Sequence, residues 1–424
     1  MKHVTRIAFA LLMATCTAPV FSQKTFVLCS PDEKFQSEIK ISTTDIKYNI
    51  KHDGDLILDF SRIHMSLDKG RAFGINPKLS GTKTKTVDRI LNADIYKKKE
   101  VRDNFNELTL KFKGNYRIVF RAYNEGIAYR FESDIKGDII VENELSEFNF
   151  LHDAKAYIPY VRDNVATLES QFGNPFENIY KYENISQWDT SRIAFLPLLV
   201  EGRNGKKLCI LEADLLNYPG MYLYNGDGSN TLKSVFAPYP KEVEQGGYLN
   251  LQGLVKSREP YIAKVSGVTS FPWRIMVVSE NDKELADNDM VFKLATRPQG
   301  DFSWVKPGKA AWEWWHAWNL LGVDFKTGIN NETYKCYIDF ASRYGVEYIL
   351  LDDGWSPKNE ADLFKVVPEL DLPELVRYGK ERNVGLILWA GYYPFDRDME
   401  SVCKYYSEMG IKGFKVDYME RDDQ

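Results

Sequence analysis

Four things are scarce or missing in this sequence, and each absence closes a class of function. There is no basic excess: 55 Lys and Arg stand against 60 Asp and Glu in 424 residues. A protein that grips nucleic acid or an anionic membrane carries a positive patch, so neither partner is expected and the ligand should be uncharged. Cysteine is rare. Cys29, Cys209, Cys336 and Cys403 are scattered with no C-x-x-C spacing, which argues against a zinc site or a disulfide framework and leaves four buried thiols as the expectation. No Gly-x-Gly-x-x-Gly follows a strand pattern, which weakens a nucleotide-binding reading. No apolar run is long enough to span a bilayer.

The longest early apolar run, Ile7 to Ala14, instead sits behind Lys2 and Arg6 and ahead of Val20-Phe-Ser22. A short apolar stretch with a positive front and a small-residue exit has the form of a secretory signal, so residues 1–22 are expected to be removed and the mature chain to be periplasmic or otherwise exported. Met13-Ala-Thr-Cys16 departs from the Leu-Ala-Gly-Cys pattern of lipidation, which favours a soluble product.

What is abundant is alternation. From Lys24 to Leu294 short runs such as Phe35-Gln-Ser-Glu-Ile-Lys-Ile, Leu108-Thr-Leu-Lys-Phe, Tyr116-Arg-Ile-Val-Phe and Gly126-Ile-Ala-Tyr-Arg-Phe switch between apolar and polar. Turn pairs, Asp53-Gly54 and Asn204-Gly205, punctuate them. That period of two predicts an antiparallel β-sandwich over residues 23–295. Turn formers between Thr296 and Lys309 mark a boundary.

Beyond it strands alternate with helices. Strands are predicted at Ala310-Ala-Trp-Glu-Trp-Trp, Glu347-Tyr-Ile-Leu-Leu, Gly385-Leu-Ile-Leu-Trp-Ala and Gly413-Phe-Lys-Val, with helices from Asn331 to Gly345, Pro373 to Asn383 and Met399 to Gly410. Strict alternation means a parallel sheet, so residues 296–424 read as strands one to four of a (β/α)8 barrel, with a doubly wound sheet as the alternative. Four strands are half of such a barrel, which points to a chain truncated within it.

Catalytic groups of these barrels stand at the carboxyl ends of strands. Here those ends carry Trp314-Trp-His316-Ala-Trp318, Asp352-Asp353-Gly-Trp355, Trp389-Ala-Gly-Tyr392 and Lys415-Val-Asp417-Tyr418. Carboxylates and an ammonium bind hydroxyls while indoles cover an apolar ring face, so the set suits a polyhydroxylated ring. Asp352, Asp353, Trp355, Lys415, Trp318, His316 and Trp389 are the candidate substrate-binding residues. Strand alternation sends one of Asp352 and Asp353 inward and the other away. Trp312 and Trp314 fit a barrel core as well as a sugar-facing wall, and His316 fits a structural hydrogen bond as well as proton transfer. Asp417 has the placement of a glycosidase nucleophile, with Lys415 two residues back on the same face. It equally fits a helix cap or a partner of Arg421.

The combination of a secreted sandwich, a linker, Ala-Trp-Glu-Trp-Trp, Leu-Leu-Asp-Asp-Gly-Trp and Lys-Val-Asp-Tyr-Met-Glu-Arg-Asp-Asp-Gln resembles glycoside hydrolase family 97 over essentially the whole mature chain. That resemblance implies a retaining α-galactosidase, because Asp417 occupies the place where the inverting α-glucosidases of the family have Gly. It also implies an oligosaccharide substrate, an acid/base Glu on a later strand, with Glu420 a poor substitute, and a calcium ion held by one Glu from the sandwich and by others from later barrel strands. Glu177 best matches the calcium ligand from the sandwich, with Glu169 and Glu183 as rivals. An α-glucosidase on the same frame and a non-catalytic carbohydrate-binding protein are the alternatives.

Overall fold

The computed structural model describes residues 23–93, 95–161 and 167–424; the predicted signal segment, residues 1–22, lies outside the described residues. The first unit is an antiparallel β-sandwich. Its longest strand, Gly126–Asn149, pairs along its length with Tyr116–Tyr123, Asp55–Leu67, Thr231–Phe236, Ala263–Ser270 and Trp273–Ser279. The turn pairs act as their sequence dictates. Asp53 and Gly54 both take positive φ (48° and 81°) and join His52 to Asp55 as paired neighbours, the geometry of a two-residue hairpin turn.

Phe35–Ile41 alternates buried and half-buried residues as expected of a strand with one wet face. Trp273–Ser279 is buried at every position. Met276 and Val278 enter the main core between the sheets, whereas Trp273, Ile275 and Val277 pack on the other side against Met290 and Leu294 of a short helix. A strand covered on both faces loses its polar alternation, and its one charged residue, Arg274, must then be paired. Arg274 is 1 % exposed; its Nε and Nη2 donate to Glu144 at 2.7 and 2.8 Å and its Nη1 to Glu212 at 2.5 Å.

No regular element lies between Leu294 and Ala310. After it come four parallel strands, Ala310–Trp312, Tyr348–Leu351, Gly385–Gly391 and Gly413–Asp417, hydrogen-bonded in chain order. A doubly wound sheet reverses strand order at a switch point, and these strands do not, so the arrangement is that of consecutive barrel units. Helices Asn331–Tyr344, Leu372–Glu381 and Tyr392–Met409 connect them. The first is capped by Asn330, whose side chain accepts the Thr333 N–H, and stopped, as the sequence indicates, by Gly345 at φ 65°. Tyr334, Tyr337, Ile338 and Ala341 face the core, whereas Tyr344 is exposed.

Three expectations are corrected. The first barrel strand ends at Trp312, and Glu313–His316 forms a turn of 3₁₀ helix, because the Glu313 side chain folds inward to accept the Asp352 N–H and the Tyr334 hydroxyl. The last helix begins at Tyr392 rather than Met399; Pro394 falls in its first turn, where its missing N–H would have no partner. The cysteines are not buried: Cys29, Cys209 and Cys336 are half-buried and Cys403 is exposed. No helix among the described residues is long and apolar enough to cross a membrane.

Candidate active site

Register brings the strand-end residues together. Trp389 pairs with Lys415 and Gly391 with Asp417 across the third and fourth strands, and side chains two apart share a face of the sheet. Lys415 Nζ therefore lies 2.9 Å from Asp352 Oδ2 and 3.5 Å from Asp417 Oδ2. The Trp312 ring lies under the same ammonium, 4.3 Å from Nζ to its centroid, while its indole N–H donates to Asp352 Oδ2. A cation over an indole and between two carboxylates is held by three attractions at once.

Asp417 is oriented by two donors. The Trp389 indole N–H reaches Oδ2 at 3.1 Å and the backbone N–H of Tyr418 reaches Oδ1 at 2.8 Å. Its side chain is still 44 % exposed, so the carboxylate is aimed without being enclosed. Of the alternatives for this residue, pairing with Arg421 does not hold, because Arg421 pairs with Asp423 instead.

The two neighbouring aspartates divide as alternation requires. Asp352 is buried in the cation cluster. Asp353 faces a cleft lined by Leu249 and Leu251 of the sandwich and by Trp389, where burial raises its pKa and the adjacent Asp352 charge raises it further. The aromatic wall is Trp312, Trp314 and Trp315. Trp312 and Trp314 stack at 5.4 Å, and Trp315 stands edge-on to both; Trp314 and Trp315 are exposed, so the core reading of Trp314 falls.

Other candidates lie elsewhere. Trp355 is 0 % exposed; its indole donates to the Trp389 carbonyl and its ring meets Tyr406 edge-on. Having no open face, it buttresses the third strand and cannot stack on a ligand, which corrects its assignment to substrate. Trp389 is buried, and its indole N–H is taken by Asp417. Trp318 packs at the barrel core and donates to the Tyr334 hydroxyl. His316 pairs through Nδ1 with the Tyr337 hydroxyl at 3.0 Å and stacks on that ring.

The sequence reading passed over Glu313. It is 1 % exposed, and burial raises its pKa; Oε1 has two donors while Oε2 has none among the described residues. Its signal was present in Ala-Trp-Glu-Trp-Trp, since a carboxyl group flanked by indoles in a strand is seldom there for solubility.

Calcium takes six or more oxygens, and the described residues do not gather them at Glu177. Glu177 is exposed, Glu169 lies 4.0 Å from Arg258, and Glu183 accepts the Tyr160 hydroxyl. Among the described residues, the group of His and acidic residues close enough to share an ion is His52, Asp53 and Glu280, whose imidazole and nearby Lys34 do not suit calcium.

This geometry sits on a chain that matches two family profiles end to end, Glycosyl-hydrolase 97 N-terminal over residues 28–297 and Glycoside hydrolase 97 over residues 312–424. The chain belongs to glycoside hydrolase family 97. It is 50% identical over 421 residues to a retaining alpha-galactosidase of Bacteroides thetaiotaomicron, covering 99% of this chain and 63% of that protein. It is 25% identical over 449 residues to a probable retaining alpha-galactosidase of Streptomyces bingchenggensis, covering 100% of this chain and 63% of that protein. The chain thus spans 63% of the length of these curated relatives. Among solved structures, a family 97 enzyme in complex with acarbose from Pseudoalteromonas sp. strain K8 superposes with TM-score 0.77 at 22% identity, over 93% of this chain and 59% of that one. A beta-arabinopyranosidase superposes with TM-score 0.73 at 21% identity, over 94% and 63%. These likenesses establish the family 97 fold, a sandwich followed by barrel units, for this chain.

Proposed function

We propose that the chain carries the nucleophile of a retaining α-galactosidase, and that the nucleophile is Asp417. The observation that carries this reading is the open, doubly oriented carboxylate at the end of the fourth strand, held beside Lys415. The 50% identity to a retaining alpha-galactosidase supports it. An Asp417 oxygen attacks the anomeric carbon as the bond to the aglycone breaks, giving a β-galactosyl ester; water then cleaves the ester with a second inversion. The leaving oxygen takes its proton from an acid roughly 5 Å from the nucleophile, which by family resemblance is a Glu on a later strand.

Asp352 and Lys415 are placed to bind sugar hydroxyls, and Trp314 and Trp315 to cover the apolar ring face. Trp389 and the Tyr418 N–H hold the nucleophile in line. Glu177 is proposed as the sandwich ligand of a calcium ion whose other oxygen ligands, by family resemblance, come from later barrel strands. Residues 1–22 are proposed as the signal that exports the enzyme.

The test uses the chain extended to the full length of its relatives. Asp417→Ala should lower turnover of nitrophenyl α-galactoside by roughly 10³-fold or more, and azide should restore it by forming β-galactosyl azide. A first product of inverted configuration, or a preference for α-glucoside, overturns the reading; sugar binding with no turnover in the unmutated protein favours a binding protein instead.

A further inference from the structure

Tyr418 follows the nucleophile directly and has φ 60°, the left-handed region that a bulky aromatic residue rarely occupies. The chain beyond it is fastened to the sandwich. Asn174 N–H donates to the Glu420 carbonyl at 3.1 Å, Gly220 N–H to the Asp422 carbonyl at 3.0 Å, and Arg258 Nη1 lies 2.9 Å from Asp423 Oδ2. At Gly220 a Cβ would meet the Asp422 carboxylate, which would have to shift. With the downstream chain fixed, a change of φ at Tyr418 must be taken up upstream. It would swing the Asp417–Tyr418 peptide, whose N–H holds the Asp417 carboxylate.

What resists that swing is the Tyr418 ring. It lies between Tyr248, stacked at 5.1 Å with 20° between planes, and Trp389, edge-on at 5.9 Å. Trp389 belongs to the barrel, but Tyr248 comes from the tip of the sandwich hairpin formed by Pro240–Gly246 and Gln252–Arg258. The tip has a defined shape. Tyr248 N–H donates to the Gln252 side chain at 3.1 Å, and the tip closes with the Leu251 N–H on the Tyr248 carbonyl at 3.0 Å. The Leu251 carbonyl in turn accepts the Tyr393 N–H of the barrel at 2.9 Å. Leu249 and Leu251 pack with Ala361, Trp389 and Tyr418 in a small core shared by the two units.

We propose that Tyr248 is a positioning residue: by stacking on Tyr418 it holds the backbone conformation that aims Asp417, so that the sandwich takes part in setting the nucleophile. The proposal rests on Asp417 being the nucleophile. Tyr248 itself is 50% exposed, and so its removal leaves the folding cores intact.

The experiment compares Tyr248→Ala, Tyr248→Leu and Tyr248→Phe in the full-length protein, with Asp417→Ala measured alongside. A displacement of an ångström at a reacting group costs on the order of 10²-fold. Tyr248→Ala should therefore lower kcat roughly 10- to 100-fold with KM within about threefold. The rate of covalent labelling by 5-fluoro-galactosyl fluoride should fall by the same factor. Tyr248→Leu, which keeps an apolar contact but no ring plane, should fall with Ala, and Tyr248→Phe should recover most of the rate because the ring stacks without its hydroxyl.

An unchanged kcat and labelling rate in Tyr248→Ala, a rise in KM alone, or a loss that Phe does not recover overturns the proposal. If azide rescues Asp417→Ala while Tyr248→Ala reacts at the normal rate, the positioning role fails and the nucleophile stands. If Asp417→Ala keeps its turnover, the nucleophile assignment fails, and the positioning role with it.

Discussion

Arg274 and Lys415 each stand between two carboxylates, and the two clusters are built to opposite ends. In the sandwich, Arg274 is 1 % exposed, and its guanidinium uses three nitrogens on Glu144 and Glu212. At the barrel strand ends, Lys415 keeps 31% of its side chain exposed and meets Asp352 and Asp417 with a single nitrogen. The planar fork suits a closed, saturated pair, whereas an ammonium leaves donors free for a third partner. The first cluster has no capacity left for a ligand; the second has an open carboxylate and a free face. Charges that look alike in a sequence divide into structure and chemistry by how much water each retains.

The contrast is most directly broken at Arg274. Arg274→Met strands two buried carboxylates, and the unfolding free energy in urea should fall by about 3–5 kcal/mol; a loss under about 1 kcal/mol would show that the sandwich pair is not a closed unit. Next in size is Asp422, beside Glu212 and Asp423, whose pKa burial pushes up to about 7. A carboxyl group whose folded pKa lies above its unfolded value binds its proton more tightly when folded, so its contribution to stability grows as pH falls through about 7 and is smallest above it. Asp422→Asn should accordingly stabilise the protein at pH 8 by about 2 kcal/mol, with allowance for partial exposure, and change little at pH 4. Melting curves at the two pH values decide it, and equal shifts at both would refute the assignment.

Lys415→Met sharpens the other side of the comparison. Asp352 keeps the Trp312 indole N–H, so stability should drop by only about 1 kcal/mol, while turnover in the full-length protein falls far more than stability does. Equal, small losses in both would make Lys415 a structural residue. The smallest effect is expected at the exposed pair of Arg377 and Glu381, one helical turn apart; Arg377→Ala should cost about 0.3 kcal/mol, vanishing in high salt.

The barrel units were more legible in the sequence than the active-site contacts. The helix stop at Gly345 is a local event, and alternation gave the sandwich. Asp417, Lys415 and Asp352 could be gathered because strand ends share a face. Trp355 was misjudged for a physical reason: a residue just past a strand end faces solvent only if nothing folds over it, and here helix Tyr392–Met409 brings Tyr406 against the ring. Glu313 and Tyr248 were missed because their partners lie far away in sequence, on Asp352 and Tyr418. Periodicity carries no record of such meetings.

The segment from Tyr418 to Gln424 follows the fourth strand and lies against the sandwich, where Gln424 is bonded to Asn217 and Lys264. The two units are therefore bonded to each other a second time, far from the linker that joins them. Modules joined by one tether can be exchanged by recombination at that tether. Here a foreign barrel grafted after Thr296 would arrive with a segment after its fourth strand that has no seat, unless its donor's sandwich came with it. The two units are accordingly expected to have been inherited as a pair, with changes in one answered by changes along the shared groove of the other.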